Sequence, residues 1–267
     1  MREIGAPSVF MIAKTELVEK NLLAYLEAIG NPRWRPESNA AGGETLIEAA
    51  GRVCYRSWQE YDPEIPEGTN PNVERVRQGL GPYLKNILTH EHGSTLEHVS
   101  VTFLLKDVSR VFTHELVRHR AGMAFSQESL RYVRLDNLNY WFPRAVKGDA
   151  RALAKFKEIV EYLEQVQKDL AGIFKIENVS DFTTKKKLTS MFRRLAPLGL
   201  GTTVMVTGNL RAWRHIIAMR TSEGAEEEIR LVVGEIARIL KAEYPNVFQD
   251  MMRNEQTGAW EFAFHKV

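Results

Sequence analysis

Three features of the sequence predict an α+β fold. Short segments alternate apolar and polar residues with a period of two, the pattern of a strand with one buried face. Longer segments repeat their apolar residues at helical spacing. The two kinds do not succeed one another in the regular βαβ order that a parallel sheet requires. The chain has 267 residues, of which 44% are AVILMFWYC and 26% charged. It can bury the core of one large domain without disulfides or a structural metal.

Taken in order, Ser8 to Ile12 reads as a short apolar strand, and Glu16 to Ile29 as an amphipathic helix carrying Leu17, Leu22, Leu23, Leu26 and Ile29. Residues 31–43 and 61–72 are rich in Pro, Gly and Asn and read as loop insertions flanked by short helical patterns. His98 to Leu105 is the clearest strand, with Val99, Val101, Phe103 and Leu105 alternating with Ser100, Thr102 and Leu104. Asp107-Val-Ser109 supplies a turn and an N-cap for a helix reaching about Arg118. Leu130 to Leu135 has strand character. Helices are expected from about Arg151 to Leu170 and from Asp181 to Leu195. Thr202 to Thr207 reads as a strand leading into a helix with Leu210, Trp213, Ile216 and Ile217. Ile229, Val232, Val233, Ile236, Ile239 and Leu240 form the broad apolar stripe of a last long helix. No repeat interrupts this order, and one domain over residues 1–267 is expected.

Composition removes several functional classes. Lys and Arg number 36 against 34 Asp and Glu, a formal net charge of +2, which argues against coating DNA or an anionic membrane. A single cysteine, Cys54, forbids an internal disulfide and any cysteine-based zinc or iron–sulfur site. It sits in an apolar helical stretch with no nearby histidine, so packing is expected of it and not nucleophilic attack. No signal peptide follows Met1, and no run approaches the roughly 20 apolar residues of a membrane span. The expected location is cytoplasmic.

Chemistry concentrates in three segments. The first runs from Thr113-His-Glu-Leu-Val-Arg-His-Arg120 through Gly122, Ala124, Ser126, Gln127, Ser129 and Arg131. Arg118 and Arg120 alone could be a solvated helix end, where cations are favoured by the dipole. Small residues that admit a close ligand, and hydrogen-bonding groups crowded into one short turn, point instead to a phosphorylated ligand held by Arg. His114-Glu115 suggests a zinc helix, but His119 follows five residues later where a metal pair needs four. The second segment groups His90, His92 and His98 with Glu91 and Glu97 around a Gly-Ser turn; irregular spacing favours loop and cap roles, and no metal is expected. The third, Thr207 to Arg220, spaces Arg211 and His215 four apart and adds Arg214 and Arg220. It could be a wet helical face, yet two arginine clusters in a near-neutral chain imply a local ligand with more than one phosphate.

Together these stretches resemble the flavin-dependent thymidylate synthases. The family signature Arg-His-Arg, a spacer, Ser, then Arg-Tyr reads here as Arg118-His119-Arg120, Ser129 and Arg131-Tyr132. An upstream His-x-(Ser/Thr)-x-x-Glu-His pattern is met by His92, Ser94, Glu97 and His98. Downstream, Asn209, Arg211, His215, Arg220 and Ala225 match a further motif, and Arg193 and Pro197 match an Arg-x-x-x-Pro before it. The resemblance covers roughly residues 45–244. It implies a central, mostly antiparallel sheet with long flanking helices, and a homotetramer with active sites at subunit interfaces. It also implies reductive methylation of dUMP at C5 to dTMP, with FAD as cofactor and NADPH and methylenetetrahydrofolate as co-substrates. The partners implied are therefore a pyrimidine nucleotide and a folate, without nucleic acid or membrane.

Carried over residue by residue, FAD is expected at His92, Ser94, Glu97, Arg118, His119, Arg120, Gln127, Asn209, Leu210, Arg211 and His215. The nucleotide is expected at Glu115, Leu116, Val117, Arg118, Gln127, Glu128, Ser129, Leu130, Arg131, Arg193 and Arg220. Arg220 and Ser129 carry the catalytic expectation, Arg220 by stabilising negative charge on the uracil ring. The sequence departs from the family in three places. Eight residues separate Arg120 from Ser129 where most members have seven, the extra one lying within Ala121 to Ala124. Glu115 and Glu226 stand where Gln is common. An acidic residue beside the nucleotide could alter the preference at the sugar, so UMP stays open as an acceptor behind dUMP. A nucleotide- or nucleic-acid-binding protein without methyl transfer is the remaining alternative.

Overall fold

A computed structural model of the chain describes residues 1–73, 75–131 and 137–267. The chain opens with β1 (Arg2–Glu3) and β2 (Ser8–Lys14), then α1 (Glu19–Ala28), α2 (Gly42–Tyr55) and α3 (Leu80–Thr89). A 3₁₀ turn over Gly93–His98 leads into β3 (Ser100–Ser109), followed by α4 (Arg110–Leu116) and β4 (Met123–Gln127). Next come β5 (Asn139–Tyr140), α5 (Arg144–Lys147), α6 (Ala150–Ile173) and α7 (Phe182–Phe192). The remainder is β6 (Gly201–Asn209), α8 (Leu210–Arg220), α9 (Glu227–Glu243), β7 (Met251–Arg253) and β8 (Trp260–Phe262).

The main sheet has four antiparallel strands in the order β2-β3-β6-β4. A parallel pair, β1 with β5, and an antiparallel hairpin, β7 with β8, stand beside it. The expected mixture of helices with a mostly antiparallel sheet is therefore met. Alternation decides which face is covered: Val101, Phe103 and Leu105 of β3 and Val204 and Val206 of β6 are buried in one core with α3, α8 and α9. The apolar stripe of α9 is buried there as read from the sequence, from Ile229 through Val232, Val233 and Ile236 to Leu240. On the opposite face Phe10, Ile12 and Met205 are 50%, 48% and 40% exposed.

Several expected elements shift or change. The predicted strand at Ser8 extends to Lys14, and the helix expected from Glu16 starts at Glu19. The helix expected from Asp181 to Leu195 is α7, which Asp181 caps by accepting from the Thr184 N–H, but the helix ends at Phe192 and Arg193–Leu195 tightens into a 3₁₀ turn. The stretch read as a crowded turn contains an edge strand, β4, paired with β6 from Met123↔Gly208 to Gln127↔Val204. Its burial alternates only between half-buried and exposed, so it lacks the apolar rhythm that marks β3. The strand expected at Leu130 to Leu135 lies largely outside the described residues, and Leu130 and Arg131 form a turn. Cys54 is exposed on α2, correcting its expected burial: it falls in the last turn of that helix, where Val53 and Tyr55 are exposed as well.

Among the described residues no helix is long and apolar enough to cross a membrane. The β3–α4 junction is tied to α9 by a fully buried carboxylate. Glu228 accepts from the Ser109 N–H at 2.6 Å and from the Ser109 hydroxyl. Burial pushes its carboxyl up to about 7, against the pull of both Ser109 bonds. A carboxyl whose folded value exceeds its unfolded one contributes stability in the protonated form, and that contribution is lost as pH rises from about 5 through 7. Glu228→Gln keeps an acceptor and removes the charge. Its melting temperature is expected to gain on the parent between pH 5 and pH 8, by the equivalent of at most about 3 kcal/mol. Thermal unfolding across that range checks this; parallel curves for the two proteins refute it.

Candidate functional site

Two strand-to-helix junctions build the site. β3 passes directly into α4 at Ser109, whose Oγ accepts from the Phe112 N–H at 3.2 Å. β6 passes directly into α8 at Asn209, whose Oδ1 accepts from the Ala212 N–H at 2.8 Å. Beyond α4, residues 118–122 fold back over the start of α8. Gly122 turns the chain with a φ of +68°, and its carbonyl accepts from the Asn209 N–H at 3.1 Å. A Cβ at Gly122 would lie 2.4 Å from Asn209 Nδ2, so only glycine admits this approach.

The result is a cleft of about 570 Å³ at the N-terminus of α8. Glu97, Arg118, His119, Arg120, Asn209, Arg211 and His215, all expected at the cofactor, line it together. The Arg118 and Arg120 side chains have no hydrogen-bond or ion-pair partner among the described residues. Arg211 pairs with Glu97 at 2.6 Å, a half-exposed contact that water and salt weaken. A helix N-terminus ringed with unpaired guanidinium groups is suited to phosphate.

Behind this cleft Arg220 is held from two sides. Its Nε donates to His119 Nε2 at 2.9 Å, its Nη1 donates to Glu115 Oε2 at 2.8 Å, and its Nη2 donates to the Glu115 carbonyl at 3.4 Å. Because an arginine N–H can only donate, His119 Nε2 must be an unprotonated acceptor. The electrostatics agree: burial first, then the charges of Arg220 and His215, lower the imidazole to about 4. The His215 ring lies edge-on to it, 5.8 Å between centroids. Three of the five arginine N–H donors are thus used, and two are left for a ligand.

A second cationic corner lies where β4 ends. Arg110, on the first turn of α4, donates from Nη2 to the Glu128 carbonyl at 3.0 Å, while its buried Nε has no partner. Burial lowers its guanidinium, and the nearby Arg193 lowers it further, whereas Glu128 opposes both. Arg110 is absent from the residues expected from the sequence. Its signal was its place directly after the capping Ser109, which aims it past the end of the sheet. Glu128 itself accepts from the Thr203 N–H at 2.9 Å, and Gln127 Nε2 donates to Thr113 Oγ1 at 3.1 Å.

Other expected residues stand apart from the cleft lining. His92 is half-buried and stacks on Tyr55 with centroids 5.8 Å apart, and Ser94 is exposed on the 3₁₀ turn. Leu116 and Leu210 are fully buried in the core, so only their backbones could meet a ligand. Val117 and Leu130 are half-buried. Ser129 Oγ accepts from the Arg131 N–H at 3.3 Å, with Arg131 exposed beside it. Tyr132 lies outside the described residues. Arg214, counted with the cationic segment, points away: it is buried against Asp250 at 2.7 Å and serves the core.

Fold and site define an α+β protein with two cationic corners, an arrangement suited to a phosphorylated ligand. Residues 38–246 match the thymidylate synthase complementing protein family. A flavin-dependent thymidylate synthase of Mycolicibacterium gilvum is 35% identical over 253 residues, covering 94% of this chain and 92% of that protein. One from Mycobacteroides abscessus is 35% identical over 86% of this chain and 88% of its own length. One from Mycobacterium tuberculosis is 34% identical over 90% and 92%. The chain belongs to the thymidylate synthase complementing protein family.

The geometry around His119 sets a titration. The His119 imidazole is expected to stay neutral from pH 8 down to about pH 5, since its value lies near 4. In Arg220→Ala the adjacent cation is gone, and the same resonance should titrate at higher pH. Two-dimensional imidazole NMR across pH 4 to 8 reads both; a His119 that titrates near pH 6.5 in the parent protein contradicts the arrangement.

Proposed function

We propose that the chain catalyses the flavin-dependent reductive methylation of dUMP at C5 to give dTMP, as a cytosolic enzyme. In this reading methylenetetrahydrofolate donates the one-carbon unit and NADPH reduces the FAD. The observation that carries it is Arg220, fixed by Glu115 and by a neutral His119 beside the cationic cleft, with two N–H donors uncommitted.

The residues present suit a flavin dinucleotide. Arg118, Arg120 and Arg211 match two phosphates in charge, and the Asn209-capped start of α8 adds backbone donors. Gly122 keeps the floor open where a side chain would collide with Asn209. The cleft volume falls within the roughly 300–1,000 Å³ usual for cofactor pockets. When bound there, reduced flavin supplies the electrons of the methylation. The chain's own groups bind and orient: Arg110, Arg131 and Arg193 offer guanidinium groups to the nucleotide phosphate, and Ser129 and Gln127 line the approach. The Arg220 guanidinium holds the charge that develops on the uracil oxygen. The relatives' name, thymidylate synthase, supports placing dUMP ahead of UMP.

The reading extends to one flavin-dependent thymidylate synthase-like domain over residues 1–267, assembled as a homotetramer with active sites at subunit interfaces. The bare sheet face bearing Phe10, Ile12 and Met205 supports a covering partner subunit. The separation of His92 and Ser94 from the cleft lining supports a site completed by a second subunit.

Purified protein is expected to be yellow, bleached by NADPH and restored by air, and to release tritium from [5-³H]dUMP faster than from UMP. Arg220→Ala should keep FAD and lose turnover by about 100-fold or more, the usual loss on removing one donor to a developing anion. A protein that binds supplied FAD yet releases no tritium from either nucleotide would be the non-catalytic binder, and undiminished turnover in the Arg220 variant would remove its assigned role.

A further inference from the structure

We propose that residues 265–267 form a wall of the cofactor cleft and that Lys266, with His265 beside it, binds the phosphates of the flavin dinucleotide. This rests on the cleft holding FAD, as read above. Three observations carry it, and the proposed residues themselves lie beyond the family match, which ends at residue 246.

The first is placement. His265, Lys266 and Val267 line the same cleft as Arg118, Arg120 and Arg211. The side chains of His265 and Lys266 are exposed and make no hydrogen bond or ion pair among the described residues. With Lys266 included, the cleft gathers four cationic side chains against one acidic side chain, Glu97. Such a concentration is unfavourable unless an anion neutralises it.

The second is how the segment is anchored. The Arg214 guanidinium, buried on the far side of α8, donates to Asp250 Oδ1 at 2.7 Å and Oδ2 at 2.9 Å. It also donates to the carbonyls of Val247 at 2.9 Å and Phe264 at 3.3 Å, and lies 4.3 Å from the Phe262 ring centroid. Asp250 Oδ2 in turn accepts from the Phe264 N–H at 3.1 Å. Both side chains of the pair are only 3% exposed, and a pair so enclosed is held rigidly because breaking it strands a buried charge. One helix therefore carries Arg211 and His215 on its cleft side and, through Arg214, fixes the segment that brings Lys266 alongside them.

The third is the close packing at Gly93. A Cβ there would lie 2.6 Å from the Val267 carbonyl carbon and 2.8 Å from Arg211 Nε. The glycine between His92 and Ser94 thus makes room for the segment and for Arg211 together. Val267 is 7% exposed, so the segment is seated and does not trail in solvent.

The test is FAD binding to the full-length apoprotein, followed by flavin fluorescence at several KCl concentrations. For Lys266→Glu the dissociation constant should rise by about tenfold or more, the size of one lost charge-assisted contact. For Lys266→Ala the dependence of log Kd on log[KCl] should become shallower, because one screened attraction is missing. Lys266→Arg should restore both. Unchanged affinity and salt dependence in Lys266→Glu and in a His265→Ala/Lys266→Ala double variant overturn the proposal while leaving the assigned activity intact. A loss of affinity with an unchanged salt slope also overturns it, since that is structural damage and not a phosphate contact. A parent protein that binds no FAD at all removes the functional reading together with this one.

Discussion

β3 and β6 pair along their whole length, from Ser100↔Asn209 to Ser109↔Gly201 with one irregularity, and each runs straight into a helix capped by its own last residue. Because the pair is antiparallel, α4 leaves from one end of the sheet and α8 from the other. The two helices then lie on the same covered face, and Arg220 at the end of α8 reaches Glu115 and His119 just past α4. Neither junction contains a spare loop residue. A slip of one residue in this ladder would turn Val101, Phe103 and Leu105 outward and invert every side chain of the strand. The irregular pairing between Leu105 and Val108, where Asp107 takes a φ of +58°, is confined to the α4 end.

The same register sorts the arginines by task. Arg52 and Arg214 are nearly enclosed and matched with Glu48 and Asp250, so their charges are spent within the core. Arg220 is intermediate, with two anchors and two free donors. Arg118 and Arg120 fall beyond the end of α4, where nothing in the described chain pairs them. A near-neutral composition therefore coexists with a strongly cationic cleft, because carboxylates are placed opposite structural arginines and withheld from this one surface.

What could be read in the sequence follows from how local each signal is. β3, α4 with its Ser109 cap and α9 were legible because alternation, capping chemistry and a 3.6-residue stripe are written in consecutive residues. β4 was not, because an edge strand with one neighbour needs no apolar face, and Met123–Gln127 was read as part of a crowded turn. Arg118, His119, Arg120, Asn209, Arg211 and His215 could be singled out as residues, yet their convergence depends on the antiparallel pairing of β3 with β6, the strands that lead into α4 and α8. Arg214 misled for the same reason: composition counts it with Arg211, while the helix turns it toward Asp250. Arg110 carries no local signal beyond its charge and its place after the capping Ser109, and Lys266 none beyond its charge; the sheet and the buried clamp bring them to their places.

Neutral histidine is what lets the crowded centre persist. If His119 were protonated it would face Arg220 at hydrogen-bond distance with two donors and no acceptor between them. Its low value is therefore the electrostatic counterpart of the Arg220 geometry, and neither can be altered alone. Burial is the first cause of that shift, with the charges of Arg220 and His215 behind it, and His119 sits between the end of α4 and the turn at Gly122. The chain of dependence runs from a strand register, through a capped junction and a glycine turn, to the protonation state of one imidazole. That imidazole in turn fixes the orientation of the guanidinium on which the proposed chemistry rests.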